Sequence, residues 1–137
     1  MKFFAAMCCA AMMFVFTGCS KNLEDEIIGS WKLQSTTITE NIDGQSHTET
    51  ETYGENEIVI YTFNEDKTFS QEITFESQTY TKSGTYSVSG DKLTFTSNGE
   101  DEPYTCTVKI DGKDMTLTYS QSYGGATITE VAQLKKV

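Results

Sequence analysis

The sequence predicts an all-β domain: eight antiparallel strands closing as an up-and-down barrel, preceded by a signal peptide that is cleaved off. Three observations predict it. From Ser30 onward, β-branched and aromatic residues recur with period two between short turns. The turns hold tight dipeptides such as Asn98-Gly99, Asp111-Gly112 and Gly124-Gly125, which make sequence neighbours pair as antiparallel hairpins. The first 18 residues are unlike everything after them.

That leading segment is justified first. Lys2 gives a minimal positive start, and Phe3 to Phe16 run without a charge. The run is too short to cross a bilayer as a helix, which takes about 20 apolar residues. Its layout is that of a secretory signal, a charged start, an apolar stretch and a small residue at the cut. Phe16-Thr17-Gly18-Cys19 resembles the lipobox of bacterial lipoproteins, with Phe16 standing where an aliphatic residue is usual. The resemblance implies removal of residues 1–18 and a lipid on Cys19; Cys8 and Cys9 lie inside the apolar run, where a cut would leave a greasy tail. It also implies a place in the cell envelope, anchored to the outer membrane and facing the periplasm or the surface.

Residues 19–28 form the tether. Its Glu24-Asp25-Glu26 reads as a solvated linker, and also resembles the acidic export signal of surface-exposed lipoproteins in Bacteroidetes. Loss of Lys2 leaves nine lysines against 20 acids, a net charge of −11, and there is no arginine. Nucleic acid is therefore excluded as a partner, because phosphate binding needs clustered cations. Anionic lipid head groups are disfavoured in the same way, so membrane attachment must come from acyl chains. With Cys19 acylated, Cys106 has no partner within the chain, and a core rather than a disulfide must hold the domain.

The barrel domain covers residues 29–137. Strands are expected at about 30–40, 57–63, 68–76, 79–88, 92–97, 103–110, 114–120 and 126–135, with a polar loop from Asp43-Gly44 to Gly54. Pro103 suits a strand start because it cannot donate to the ladder. One parity is apolar: Phe69, Ile73 and Phe75, then Tyr80, Tyr86 and Val88, then Leu93 and Phe95, continuing through Cys106, Val108, Met115 and Leu117. The other parity is rich in threonine, so the sheet has a dry face and a wet one. Short loops favour closure into a barrel over a sandwich, since closure removes exposed edges. Residues 58–63 are apolar on both parities, and Glu130 shares a face with Ile128, Ala132 and Leu134; a bulge near Thr129 to Val131 would turn it outward.

Gly29-Ser30-Trp31 resembles the Gly-x-Trp that opens the first strand of lipocalins, which are eight-stranded up-and-down barrels. Asn64-Glu65-Asp66-Lys67-Thr68-Phe69 and Gly84-Thr85-Tyr86-Ser87-Val88 are similar to the small lipocalin-like domains of Bacteroidetes lipoproteins. The resemblance implies that Gly29 and Trp31 close one end of a monomeric barrel, Trp31 packing against an arginine late in the chain. Without arginine, Lys135 or Lys136 is expected to lie over the ring.

Nothing in the sequence points to catalysis. His47, the one histidine, sits in a polar loop; Cys106 shares its face with Tyr104 and Val108 and reads as an inert core thiol. No Cys, His or carboxylate set has metal-ligand spacing, and no cofactor is expected. The expected activity is binding of a small apolar or amphipathic ligand inside the barrel, lined by Tyr80, Tyr86, Phe95, Tyr104 and Tyr119. Lys82 and Glu130 are its polar handles, unless both sit at a rim. The alternative is a packed, ligand-free barrel that serves as a protein-interaction module of the envelope.

Overall fold

The computed structural model describes residues 22–137; the signal segment and Cys19 lie outside them. The chain enters through a short helix, α1 (Leu23–Glu26), capped by the Asn22 side chain, which accepts from the Glu24 amide at 3.2 Å. Nine strands follow: β1 (Gly29–Ile42), β2 (Gln45–Thr52), β3 (Glu57–Phe63), β4 (Thr68–Phe75), β5 (Gln78–Ser89), β6 (Lys92–Ser97), β7 (Tyr104–Asp111), β8 (Asp114–Tyr123) and β9 (Ala126–Lys136). From β3 onward each pairs antiparallel with the next, and β9 returns to β1 along eleven residue pairs. Eight strands, β1 and β3 to β9, thus close an antiparallel up-and-down barrel, as the pattern predicts.

The ninth strand corrects the sequence reading. The segment after Ile42 was expected to be a polar loop, but Asp43 and Gly44 both take positive φ, 50° and 80°, and turn the chain into β2. This is the geometry of a two-residue hairpin. All eight residues of β2 are exposed, so no apolar alternation marks the strand. Threonine supplies it instead: Thr37 and Thr39 share hydroxyl hydrogen bonds with Thr50 and Thr48 across the hairpin.

A second correction concerns the bulge. It lies in β1 rather than β9: Leu33 opposes Leu134 and Ser35 opposes Gln133, leaving Gln34 as the extra residue. Trp31 and Leu33 face inward before it, and Thr36 and Ile38 after it. On its other edge β1 changes partner at the same place, from β3 below to β2 above, and the Tyr53 amide donates to the Gln34 carbonyl at 3.0 Å. Because β9 runs without a bulge, Glu130 keeps the inward parity of Ala132 and Leu134.

Gly84 marks another tight place. A Cβ built there would stand 2.0 Å from the Thr96 carbonyl oxygen, so only glycine lets β5 bend onto β6. The core gathers toward the end where α1 enters. Ile27, Trp31, Phe63, Leu93, Met115 and Leu134 are its fully buried members, and β3–β4, β5–β6 and β7–β8 make their turns there. The other end, where β1–β2, β4–β5, β6–β7 and β8–β9 turn, carries the exposed apolar residues Ile42, Phe75, Tyr80 and Tyr123.

Candidate ligand-binding mouth

The closed end is sealed by the opening motif. Trp31 is fully buried, and its indole N–H donates to the Ile27 carbonyl at 2.7 Å, which answers the one polar atom of the ring. Lys136 takes the place where the lipocalin resemblance puts an arginine. Its Nζ stands 5.0 Å from the Trp31 ring centroid and donates to the Glu26 carbonyl at 3.5 Å. Gly29, at φ 122°, leaves room for the lysine stem, which a Cβ would meet at 3.1 Å. Lys67 pairs with Glu24 at 3.6 Å and fastens α1 to the β3–β4 turn.

From this plug an aromatic column climbs the interior. Tyr86 packs edge-on against Phe63 at 5.1 Å; Phe63 leans on Phe95 at 5.8 Å, and Phe95 on Tyr104 at 6.1 Å. Tyr104 stacks on Tyr119 at 4.5 Å. Above Phe95 the packing stops and a cavity of about 290 Å³ opens. Phe69, Phe95, Leu117 and Ala132 supply its apolar surface; Tyr61, Gln71, Lys82, Ser97, Glu100, Tyr104, Tyr119 and Glu130 complete it.

Five of the seven lining residues expected from the sequence border this cavity: Lys82, Phe95, Tyr104, Tyr119 and Glu130. The other two do not. Tyr86 lies below it, 4 % exposed, its hydroxyl donating to the Asn64 carbonyl at 2.7 Å. Tyr80 lies above it, 60 % exposed, donating to Gln78 at 2.8 Å. Sequence reasoning missed Tyr61, Gln71, Ser97 and Glu100. Parity along β3, β4 and β6 carries a signal for the first three; Glu100 lies in a loop, where parity has no meaning.

The electrostatics of the mouth are uneven. Lys82 Nζ donates to Glu100 at 3.3 Å across the rim, and both side chains are more than half exposed. The lysine holds the Glu100 carboxyl below its usual range. Deeper in, burial pushes the Tyr61 phenol up to about 12, with the Glu130 charge adding to it. Tyr104 is raised too, by burial first and then by Glu130. Both phenols are therefore neutral donors over the ordinary pH range. Gln71 donates to the Tyr61 hydroxyl at 2.7 Å. Among the described residues no hydrogen bond or ion pair engages the Glu130 carboxylate.

Other candidates for chemistry lie apart. His47 is on exposed β2, with its ring nitrogen 3.2 Å from Glu49. Cys106 is a free, buried thiol whose pKa burial raises to about 12, far from nucleophilic. Among the described residues no group of three or more His, Cys, Asp or Glu is placed to hold a metal, and no helix is long and apolar enough to cross a membrane.

Comparison with known proteins places the fold. A lipocalin-like protein from Bacteroides uniformis superposes with a TM-score of 0.50 at 18% identity, covering 82% of this chain and 99% of that one. An uncharacterized protein from Bacteroides eggerthii does so with a TM-score of 0.50 at 15% identity, covering 80% and 98%. No curated protein matches. Residues 27–117 match the family described as the lipocalin-like domain. The match runs from the Ile27 plug and the Gly-x-Trp strand into β8, and the chain belongs to that lipocalin-like family.

Proposed function

We propose that this is a lipid-anchored protein of the bacterial cell envelope whose barrel binds one small amphipathic molecule in its mouth. The observation that carries the reading is the half-filled interior: solid aromatic packing below Phe95 and a cavity of about 290 Å³ above it. An eight-stranded barrel has room either to be filled by side chains or to hold one small ligand. Here the two conditions divide the height of the barrel between them. The volume is about twice the 150 Å³ that accepts benzene, which suits a ligand of one or two rings. The outer face is lined with hydroxyl pairs such as Thr94–Thr105 and Ser120–Thr129 rather than an apolar belt. Attachment to a membrane then falls to acyl chains on Cys19 after loss of residues 1–18.

The neutral dye N-phenyl-1-naphthylamine tests the cavity. It should bind with a stoichiometry of about one, and Ala132→Phe, which fills the cavity from β9, should abolish binding without unfolding the barrel. Equal binding by Ala132→Phe and the native protein would mean that the cavity is not the site. The anchor is tested separately by metabolic labelling with a fatty acid: Cys19→Ser should lose the label, whereas Cys8→Ser and Cys9→Ser should keep it. The interaction-module reading draws on the exposed Ile42, Phe75 and Tyr123 around the rim. A stable complex formed equally well by Ala132→Phe would favour it.

A further inference from the structure

We infer that the ligand is a small organic cation, an ammonium group carried on one or two rings' worth of apolar carbon, with Glu130 as its counter-charge. The inference rests on the ligand-binding reading and names the chemical class that the mouth selects. Three charged side chains border the cavity. Lys82 and Glu100 answer each other at the exposed rim, which leaves the Glu130 carboxylate as the uncompensated charge. The sequence suggested Lys82 as a polar handle, and a lysine suits an anionic head group. Its ion pair to Glu100 takes that role away, and an anion in the cavity would also face the charge of Glu130.

An ammonium brings three N–H donors and no acceptor. The cavity wall offers matching acceptors: the Glu130 carboxylate, the Gln71 amide oxygen, whose amide nitrogen is already turned to Tyr61, and the Tyr104 hydroxyl oxygen. The aromatic surroundings suit a cation as well, since ring faces attract positive charge where water is scarce. The apolar part of the ligand would rest on Phe69, Phe95 and Leu117. The Glu130 oxygens keep access to solvent in the open mouth, and an arriving ammonium would take the place of water there with a charge-assisted hydrogen bond.

The test uses three probes that share a phenethyl group, phenethylammonium, 2-phenylethanol and 3-phenylpropionate, titrated calorimetrically into the purified protein at physiological salt. The native protein should bind the ammonium at least about tenfold more tightly than the alcohol, and the carboxylate most weakly of the three. Glu130→Gln should bring the ammonium down to the level of the alcohol and leave alcohol binding within about twofold. Glu49→Gln, on exposed β2, removes the same net charge far from the cavity and should leave the preference intact. If the alcohol binds but the ammonium is not preferred, or the preference survives Glu130→Gln, the cation assignment fails and the ligand-binding reading stands. If none of the three binds, the ligand-binding reading itself is overturned.

Discussion

The closed end and the mouth of this barrel are made by the same eight strands, yet they obey different rules. At the closed end every polar atom brought inside is answered. The Trp31 indole donates to Ile27, the Tyr86 hydroxyl to Asn64, and Lys136 spans the ring and the Glu26 carbonyl. Around the mouth a carboxylate faces the interior without a partner, aromatic residues stand half in solvent, and the β4–β5 turn places Glu76 and Ser77 at positive φ without a glycine. Satisfied packing holds a fold together. A carboxylate open to solvent and without a protein partner is what a charged ligand would need.

The largest effect should come from emptying the plug. Trp31→Ala should lower stability by about 3–5 kcal/mol in urea unfolding, whereas Tyr104→Ala, 41 % exposed at the mouth, should cost about 1 kcal/mol, the worth of its aromatic contacts. Equal losses would erase the distinction between the two ends. Next in size is Gly84→Ala, since the added methyl must displace the Thr96 backbone; a loss of about 1–3 kcal/mol or more is expected by the same measurement. A fold as stable as native would show that β5 can unbend.

Much of this contrast was legible in the sequence, and the illegible part has a physical reason. Period two sets which side chains face inward, and that alone groups Lys82, Phe95, Tyr104, Tyr119 and Glu130. It could not say how high each one sits. Tyr80, Lys82 and Tyr86 share a parity on β5, but one ends above the cavity, one at its wall and one beneath it. Height depends on the stagger between strands, and stagger depends on features such as the Gln34 bulge, which needs both partners to be seen. β2 was invisible for a simpler reason: a strand with both faces in water has no apolar alternation to betray it.

Smaller effects sharpen the comparison at the mouth. Burial holds the Tyr61 phenol neutral to about 12, above its ordinary 10.0, so folding favours the protonated form. The resulting stability is whole below pH 10, the unfolded value, and is lost as pH climbs through the folded one. Tyrosinate absorbance should show a late component that Tyr61→Phe removes, together with a milder alkaline loss of stability. The smallest change runs the other way. Ser77, at φ 71°, sits in the left-handed region that costs a side chain about 1 kcal/mol, and Ser77→Gly should raise stability by about that amount. A decrease would mean that the Ser77 side chain holds the turn.

The short helix at the base has a consequence for how the molecule stands. The chain enters the barrel at Asn22, beside the Trp31 plug and at the opposite pole from the cavity. In the proposed anchoring through Cys19, the membrane would grip the barrel by its stopper, and the opening would lie at the far pole. Tether length then governs reach alone. On that reading a longer or shorter stalk would leave the passage to the cavity unchanged, so attachment and capture would vary independently.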